Sequence, residues 1–481
     1  MHRTEQYMDV PADFPRFILI KSREISKGAF AKKLSSVRLS VLKYYVIAID
    51  TKQVVTILRY MYSFLLYLLV PFILLRLLWR SRKSPGYRKR WAERFGFFDA
   101  PKKYQHGIFI HAASVGETIA AIPLIRNLQK DYPSLPITVT TMTVTGSQQV
   151  KKSLQDSVFH VYVPYDLPDV VQRFLKKIKP KILILMETEL WPNLLHYTKT
   201  YQIPILLANA RLSEKSATGY AKLKNFAAKM LKNITQIAAQ SQLDADRFIK
   251  LGMPQQHVAI TGSIKFDINL APSIKEAGEV LRQQLGANRP VWIAASTHDG
   301  EEEIILQAFK QIKQQLPDCL LILVPRHPER FPTVATLCKK QGYTIVLRST
   351  NETCSEKTDI FIGDTMGEMM KFYAAADIAF VAGSLVPIGG HNFLEPAILG
   401  LPIISGPHVF NFTEIARLLK EKHALVLIEN SSELANQVIK FFNDPKLRHE
   451  FGENAKLVVD ANRGAVTKHM QLIQQLLTKN H

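Results

Sequence analysis

The sequence has few cysteines and comparatively few acidic residues. Its 481 residues include three cysteines, Cys319, Cys338 and Cys354, and their spacing matches no zinc-ligand pattern. An odd number of cysteines without a framework excludes a disulfide scaffold and fits a reducing cytosol. Because 62 lysines and arginines outnumber 41 aspartates and glutamates, the formal net charge is +21. Zinc-finger, RNA-recognition and basic-zipper patterns are lacking, so this charge favours an anionic membrane surface over nucleic acid as the partner.

One long apolar stretch lies near the N-terminus. Residues 61–75 carry no charge, and residues 54–79 reach membrane-spanning length with Arg59 and Arg76 near the two ends. Seven basic residues follow: Arg80, Arg82, Lys83, Arg88, Lys89, Arg90 and Arg94. By the positive-inside rule we predict a membrane-anchor helix at 54–79, with everything after it on the cytoplasmic side. A deep interfacial helix and a buried core helix are the alternatives that the borderline length leaves open.

Residues 1–53 form a basic extension to which we assign no role. Apolar residues recur between Ser35 and Ile49 at a spacing that allows a short amphipathic helix. Translation from a start codon further along the chain is an open alternative, and the extension would then not be made.

The rest of the chain alternates short apolar runs with longer segments of helical periodicity, and its length fits two domains better than one core. The first series of strand-like runs is 107–110, 137–143, 159–163, 182–185, 205–208 and 237–239. The second series is 291–294, 320–324, 344–347, 360–362, 378–381, 402–405 and 424–427. Such alternation predicts two α/β domains with parallel sheets. The more polar segment 266–289 predicts a linker between them.

The longer apolar runs end in polar loops marked by glycine or proline. Residues 389–397 are a glycine-rich loop between a strand-like run and a short helical stretch, a pattern that suits anion binding. Six further motifs occupy similar positions: 111–117, 186–193, 261–267, 295–302, 325–330 and 363–368. Together these seven motifs resemble the Kdo transferase family of lipopolysaccharide synthesis. Its members move 3-deoxy-D-manno-octulosonic acid (Kdo) from CMP-Kdo onto a lipid A precursor, and the resemblance runs from about Leu58 to near the C-terminus.

The resemblance implies the GT-B architecture, in which two Rossmann-like domains face a cleft, here with an N-terminal membrane-anchor helix. On that basis we expect an acceptor-binding domain at 80–270 and a nucleotide-sugar-binding domain at 271–481. The implied partners are CMP-Kdo and a lipid A precursor, lipid IVA, and the implied location is the inner membrane. We expect inverting transfer with no cofactor, no metal and no obligate protein partner.

Three loop residues are candidates for catalysis: Glu117, Glu189 and Lys265. Glu117 follows a glycine at the entry to a helix, where its carboxylate can take the proton of the acceptor hydroxyl. An ordinary capping glutamate is the alternative, and the helix dipole predicts a readily ionised and therefore weak base. Glu187 and Glu189 follow one strand and share a face, and the family pattern favours Glu189. Lys265 lies at the domain junction and can reach the cleft.

The Kdo carboxylate and the CMP phosphate both require cations or N–H donors. Arg326 follows a strand at the end where α/β proteins bind ligands, and its guanidinium offers paired donors. We expect further donor-binding groups from Ser296, Thr297, Gly367, Gly389, Gly390, Asn392 and Glu395, the last of which can accept hydrogen bonds from ribose hydroxyls. The candidates for acceptor binding are Ser114, Gly116 and Arg211. The alternative for each single basic residue is a solvated surface charge.

Two other functions stay open at this level. A UDP-sugar transferase or a lipid A disaccharide synthase uses the same fold, whereas a basic membrane-anchored binding protein needs no catalysis. The set of loop carboxylates argues against the binding protein. Asp244 and Asp246 imitate the metal-binding DxD motif of other glycosyltransferases, but residues 242–251 have the pattern of an exposed helix start. A monophosphate leaving group also has less need of a bridging metal than a diphosphate.

Overall fold

The computed structural model describes residues 51–83 and 89–478, with the side chains of 56–82 and 89–478. The extension 1–53, apart from its last three residues, lies outside this range, as does the amphipathic helix suggested near Ser35. Arg88, one of the seven basic residues, lies outside it as well. Both sheets described below belong to one compact unit, Tyr62–His481.

Eighteen α-helices lie in the described residues. They are α1 Thr51–Lys83, α2 Trp91–Arg94, α3 Val115–Asp131, α4 Val144–Leu154, α5 Pro168–Ile178, α6 Pro192–Thr200, α7 Glu214–Ala221, α8 Lys224–Leu231, α9 Gln242–Lys250, α10 Pro272–Leu285, α11 Glu301–Gln315, α12 Phe331–Lys340, α13 Met369–Ala374, α14 Leu394–Ile398, α15 Thr413–Glu421, α16 Ser431–Asn443, α17 Pro445–Ala461 and α18 Ala465–Thr478.

Fourteen strands lie in the same residues. They are β1 Ile108–His111, β2 Ile137–Thr141, β3 Phe159–Tyr162, β4 Ile182–Met186, β5 Ile205–Ala210, β6 Gln236–Ala239, β7 Val258–Ile260, β8 Val291–Thr297, β9 Leu320–Pro325, β10 Ile345–Leu347, β11 Ile360–Ile362, β12 Ile378–Val381, β13 Ile403–Ser405 and β14 Leu425–Leu427. All thirteen predicted runs are strands, with ends that differ by three residues or fewer. The sequence missed β7, whose residues are only half-buried or exposed and therefore form no strongly apolar run.

The strands form two parallel sheets of seven, with the orders β3-β2-β1-β4-β5-β6-β7 and β10-β11-β9-β8-β12-β13-β14. The predicted α/β fold with two parallel sheets is therefore confirmed. The order reverses between β1 and β4 in the first sheet and between β8 and β12 in the second. Open parallel sheets bind ligands at the carboxyl ends of the strands beside such a reversal. The loops that follow these four strands are therefore where a site is expected.

Each sheet carries an apolar core on both of its faces, which explains why its strands are nearly continuous apolar runs. Ile108 and Ile110 of β1 belong to the core on one face, and Phe109 between them belongs to the core on the other. In the second sheet, Trp292 and Ile293 of β8 divide between two cores in the same way. Helices cover both faces, so the strand ends are the exposed edges available for chemistry.

The prediction of a linker at 266–289 is wrong for most of its length. Residues Pro272–Leu285 form α10, and Leu281 and Leu285 are fully buried in a core of the second sheet. Pro272 occupies the first turn of the helix, where its missing N–H removes no hydrogen bond. The polar character of the segment reflects the solvent-facing side of a surface helix.

The C-terminal helix α18 returns to the first sheet. Val466, Ile473 and Leu476 belong to the same core as the strands β1, β2 and β4. The backbone N–H of Asn209 in β5 donates to Nε2 of His469 at 2.8 Å. The predicted domain 271–481 contains this helix, whereas the side chains of the helix complete the core of the first sheet. A domain boundary at residue 270 therefore stays a prediction, and α18 lies beyond that boundary in the chain while its side chains pack on the first sheet.

Helix α1 contains the predicted anchor helix 54–79. Residues Thr56–Arg82 are long and apolar enough to cross a membrane. Large apolar side chains such as Phe64, Phe72 and Trp79 are 63% to 66% exposed. That exposure argues against the alternative of a buried core helix and fits a membrane anchor.

Arg90 and Arg94, which belong to the basic residues after the anchor, make contacts within the fold. Arg94 is only 5% exposed and donates to the carbonyl of Met142 at 2.8 Å. Arg90 pairs with Glu93 at 2.5 Å and donates to the carbonyl of His160. The segment therefore presents fewer charges to an anionic surface than the sequence predicted.

Candidate active site

The loop after β1 is held by a capping box at the start of α3. The Ser114 hydroxyl accepts a hydrogen bond from the backbone N–H of Glu117 at 3.2 Å and donates to its carboxylate at 2.8 Å. The same carboxylate accepts the Ala113 N–H at 2.9 Å. Ser-x-x-Glu is the sequence signature of this arrangement. The capping alternative for Glu117 is thus part of the structure, and it fixes the carboxylate at the switch point of the first sheet.

Burial raises the pKa of Glu117, and the negative charges of Glu189 and Glu187 raise it further. The hydrogen bonds from Ser114 and Ala113 oppose this effect without cancelling it. The expectation of a weak base, which followed from the helix dipole, is therefore wrong in direction. Because only 8% of Glu117 is exposed, burial outweighs the dipole. A carboxylate with a raised pKa is a better proton acceptor once it is ionised.

The loop after β4 brings two more carboxylates to the same place. Glu189 accepts the indole N–H of Trp191 at 2.8 Å and lies 3.8 Å from Nε2 of His111. Burial opposes ionisation of Glu189, but these two partners outweigh it and lower the pKa. Glu187 forms an ion pair with Lys265 at 3.2 Å and has a left-handed φ of 54°. The predicted catalytic residues thus lie in one cluster at the β1–β4 switch point.

His111 is a member of this cluster that the sequence prediction omitted. It ends β1 with no exposed surface, and its Nδ1 lies 2.9 Å from the Thr140 hydroxyl. Its Nε2 is buried and has no hydrogen-bond partner among the described residues. The sequence feature that could have indicated His111 is its place as the polar last residue of an apolar strand, directly before the loop that contains Ser114.

The predicted acceptor residues Ser114 and Gly116 lie in the first turn of α3, beside Glu117. Arg211 follows β5, and its carbonyl accepts the Thr188 hydroxyl. The pKa of Glu414, on α15 of the second half, is lowered mainly by Arg417 and also by the charge of Arg211. Arg211 therefore lies where the two halves approach each other.

The loop after β8 is organised by buried glutamates. Glu301 accepts the N–H groups of Gly383, Ser384 and Leu385 at 2.7 to 2.9 Å, so it ties this loop to the one after β12. The predicted donor-binding residue Thr297 is fully buried and donates its hydroxyl to Glu302 at 2.9 Å. Sequence reasoning missed Glu301. The sequence feature that could have indicated it is Gly300 followed by two glutamates at the start of α11.

Ser296 and Gly367, two other predicted donor residues, have left-handed backbones. Ser296 lies within β8 with a φ of 62°, where the pairing with β9 shifts register. A serine in this region is strained, and such strain is concentrated at functional sites. Gly367 has a φ of 92° and open space where a side chain would lie. Ser296 thus lies at the carboxyl end of β8, and Gly367 lies on the loop that follows β11.

The glycine-rich loop has the predicted order of strand, loop and short helix, from β12 to α14. Gly389 and Gly390 have φ values of 107° and 78°, and a Cβ on Gly389 would lie 2.4 Å from the Asn411 amide. The Asn392 side chain accepts the Leu394 N–H and donates to the Glu395 carboxylate, both at 3.1 Å. Both glycines are buried, and Asn411 and Phe410 fill the space beside Gly389, so no side chain fits at that position.

Arg326 is exposed at the end of β9, and its charge acts on groups in that loop. Burial raises the pKa of Glu395, and Asn392 and Arg326 oppose the rise. Burial and the charge of Arg326 lower the pKa of His391 to about 3. His391 stacks on His298 with their Nε2 atoms 2.9 Å apart. A cation, a half-buried carboxylate and two imidazoles thus meet beside the glycine-rich loop.

The DxD-like pair, Asp244 and Asp246, accepts hydrogen bonds at the start of α9. Asp244 accepts the Leu212 N–H at 2.8 Å and the Ser241 hydroxyl at 2.5 Å, at the start of α9. The predicted helix start is confirmed, although Asp244 is 6% exposed rather than on the surface. Asp246 accepts the Gln242 amide at 2.8 Å. Both carboxylates are used in organising the first turn of the helix.

Two Rossmann-like sheets, each with charged loops at its switch point, define a glycosyltransferase of the GT-B class. Residues 89–268 match the model of the 3-deoxy-D-manno-octulosonic-acid transferase (kdotransferase) family, and residues 296–458 match that of glycosyl transferases group 1. The 3-deoxy-D-manno-octulosonic acid transferase of Haemophilus influenzae is 46% identical over 88% of this chain and 99% of its own. The 3-deoxy-D-manno-octulosonic acid transferase of Bordetella pertussis is 31% identical, and the match covers 87% of this chain and 99% of the relative. The chain belongs to the Kdo transferase family.

Among solved structures, a glycosyltransferase from Rickettsia africae is similar with a TM-score of 0.51 and 16% identity. It covers 78% of this chain and 99% of its own, and at this identity it shows the fold alone. The predicted enzyme class, a Kdo-transferring glycosyltransferase, is confirmed by the family, and a role in lipopolysaccharide synthesis follows from that membership.

Proposed function

We propose that this enzyme transfers Kdo from CMP-Kdo to a lipid A precursor such as lipid IVA, with inversion, without a metal, and with Glu117 as the general base. The observation that carries the proposal is the buried Glu117 carboxylate with its raised pKa, fixed at the β1–β4 switch point beside Glu189. A base of this kind is what an acceptor hydroxyl needs in order to attack.

In the proposed reaction, the acceptor hydroxyl attacks the anomeric carbon of Kdo and transfers its proton to Glu117. The bond from that carbon to the phosphate oxygen breaks, and its electron pair leaves with CMP. An ionised carboxylate has about four lone-pair sites. Ser114 and Ala113 occupy two of them, one on each oxygen, so Glu117 keeps room for the incoming proton.

Glu189 and Lys265 have different tasks in this proposal. Glu189 stays ionised because its pKa is lowered, and the Trp191 indole fixes its position. It therefore suits hydrogen bonding to acceptor hydroxyls rather than proton transfer. Lys265 lies in the connection between the sheets and pairs with Glu187, so its proposed task is to hold that carboxylate beside the site and to offer its remaining N–H donors to the Kdo carboxylate.

The departing phosphate belongs, in this proposal, to the second half of the chain. The exposed Arg326 supplies a charge-assisted contact, and the left-handed turn at Gly389 and Gly390 places Asn392 and Glu395 beside it. Glu395 suits the ribose hydroxyls, with Ser296 at the end of β8 and Gly367 on the loop after β11 as further donor-binding residues. We further propose that α1 anchors the enzyme on the cytoplasmic side of the inner membrane, where the acceptor lipid resides.

The test is transfer by purified protein with defined lipid IVA, offering CMP-Kdo in one reaction and UDP-sugars in another. We expect the acceptor mass to increase by one or more Kdo residues with CMP-Kdo alone. The anomeric configuration of the product, read by NMR, checks inversion. Transfer from a UDP-sugar but not from CMP-Kdo would favour the alternative sugar transferase.

A further inference from the structure

Helix α1 has two faces with different surroundings. One stripe, at a spacing of three or four residues, is buried or half-buried: Tyr62, Ser63, Leu66, Val70, Ile73 and Leu77. The opposite stripe is at least 54% exposed at every position: Phe64, Leu65, Leu68, Phe72, Leu75 and Trp79. Positions three and four apart lie on one face of a helix, so the first stripe faces the protein and the second faces away.

Polar contacts fix the inner stripe to the first sheet's domain. Ser63 is within 3.0 Å of the Asn193 amide, and Tyr62 is hydrogen-bonded to Asp166. Asp166 in turn accepts the N–H groups of Asn193 and Leu194 at the start of α6. The inner stripe extends over roughly 20 Å of helix. A helix held along this length to a polar domain lies in the membrane surface rather than across it, with the outer stripe in lipid.

A cavity of about 180 Å³ lies between α1 and that domain. Leu66, Val70 and Ile73 of α1 line one side of it, and Leu167 and Trp191 lie among the residues of the other. This volume is many times what one water molecule needs, and the walls are largely apolar. Hydrocarbon is therefore a better occupant than water.

The cavity is joined to the candidate active site by Trp191. The indole of Trp191 lines the cavity, and its N–H donates to Glu189 at 2.8 Å. The same ring makes an edge contact with His111 at 5.5 Å between centroids. Tyr220 lies within electrostatic range of both Tyr62 and Glu189. One side chain thus separates an apolar cavity at the membrane anchor from the carboxylates of the acceptor site.

We propose that this cavity is a subsite for one acyl chain of the lipid acceptor. The inference rests on the proposed function, because that acceptor carries fatty acyl chains on the sugar whose hydroxyl must reach Glu117. In this proposal the acyl chain enters the cavity from the lipid beside the outer stripe. The sugar attached to it then lies on the other side of Trp191, at Glu189. The CMP-Kdo donor has no hydrocarbon chain, so only the acceptor matches both the apolar cavity and the polar site next to it.

The test compares lipid IVA with its deacylated sugar for two variants of the full-length enzyme. Val70→Trp fills the cavity, whereas Leu68→Trp places the same side chain on the outer stripe. We expect Val70→Trp to lower the ratio of kcat/KM for acylated over deacylated acceptor about tenfold, since burial of a few methylene groups is lost. Leu68→Trp should leave the ratio at the wild-type value. Flotation with vesicles checks that both variants stay equally membrane-bound.

An unchanged ratio for Val70→Trp would overturn the subsite while leaving the proposed function in place. Failure of the wild type to use either acceptor with CMP-Kdo would instead overturn the proposed function.

A second measurement uses the wild-type enzyme and lipid IVA with a photoreactive group in an acyl chain, so it does not depend on variant folding. We expect labelling of the residues that line the cavity opposite α1, around Leu167 and Trp191. Labelling confined to the outer stripe of α1 would contradict the inference. Equal labelling of the same wall by a photoreactive phospholipid would also contradict it, because the cavity would then be a general lipid site.

Discussion

At the scale of single residues, Glu117 combines two tasks. Its carboxylate closes a capping box with Ser114, and the same carboxylate is the proposed base. Capping fixes both its position and its burial, and burial raises its pKa. The local sequence signature of a helix start is therefore also the device that places a base at the switch point.

Glu117→Gln should lower kcat by roughly 10² to 10⁴. The glutamine keeps one carbonyl oxygen that can accept the Ala113 N–H, so the fold and CMP binding should persist. Steady-state transfer, with CMP binding by calorimetry, measures both effects. Glu214→Gln, an exposed glutamate on α7, is the matched control. Turnover close to that of the wild type would place the base elsewhere.

The pH dependence of transfer gives a separate prediction for Glu117. Its pKa is raised, so the competent, ionised form is lost on acidification at a higher pH than for an ordinary carboxyl group. We expect kcat/KM to fall with acid along a limb displaced upward from pH 4.5. The residual activity of Glu117→Gln should lack that limb. A limb retained in the variant would show that another group titrates.

Arg326→Ala should weaken donor binding about tenfold or more, because a charge-assisted hydrogen bond contributes about 1.5–3 kcal/mol. The loss should be the same with EDTA and with added magnesium, and wild-type transfer should persist in EDTA. Calorimetric titration with CMP, and KM for CMP-Kdo, measure the effect. Arg126→Ala, at an exposed position of α3, is the control. Activity abolished by EDTA and restored by magnesium would make Asp244 and Asp246 the next residues to mutate.

At the scale of elements, α18 links the last residues of the chain to the first sheet. His469 lies in this helix with no exposed surface: its Nδ1–H donates to the Ala465 carbonyl at 2.7 Å, and its Nε2 accepts the Asn209 N–H. Asn209 interrupts β5 with a left-handed φ of 51°, which asparagine tolerates better than most residues. The helix thus fixes a strand end near the acceptor site, and its loss should disturb both the core and the site.

Stability should fall on acidification partly through His469. Burial lowers its pKa from 6.5 to about 4, so its contribution is complete above 6.5 and is lost as the pH falls towards 4. The full shift corresponds to about 3 kcal/mol. His160 and His391, with pKa values lowered to about 3, act in the same direction.

His469→Gln should therefore reduce the loss of unfolding free energy between pH 7.5 and pH 5 by roughly 2 kcal/mol relative to the wild type. Glutamine can still accept the Asn209 N–H. Urea unfolding at the two pH values provides the measurement, with His449→Gln at an exposed position of α17 as control. Parallel pH dependence of variant and wild type would show that His469 is not among the groups responsible.

At the scale of the whole molecule, the proposed attachment to a membrane gives the large positive charge and the apolar helix one common purpose. The outer stripe of α1 provides the apolar part. The basic residues after it provide an electrostatic part, although Arg90 and Arg94 are engaged within the fold. In the proposed function, anchoring of this kind keeps the acceptor site near the membrane that holds the lipid acceptor.

Replacing Arg80, Arg82 and Lys89 together by glutamine should weaken binding to anionic vesicles roughly a hundredfold, because each charge near the surface contributes about 1 kcal/mol. Binding to neutral vesicles should stay unchanged, since the apolar stripe is intact. Replacing Lys310, Lys420 and Lys456, exposed on other helices, gives the same net charge as a control. Equal losses in both triple variants would show that overall charge matters rather than this segment.

The sequence by itself determined the two-sheet α/β fold, the long apolar helix α1 and the family. Strands buried on both faces must be continuous apolar runs, and parallel strands need helices between them, so both features can be read along the chain. The positions of the site loops could also be predicted, because these loops lie where the apolar runs end. Only local patterns were needed for these inferences.

Tertiary structure decided what depends on neighbours distant in the chain. The direction of the Glu117 pKa shift comes first from burial and then from the charges of Glu189 and Glu187, and the role of Glu301 comes from contacts more than 80 residues away. The return of α18 to the first sheet is another such contact. The orientation of α1 depends on Asn193 and Asp166, which bind one side of it. Burial and long-range pairing arise only when the chain folds, so no local pattern could contain them.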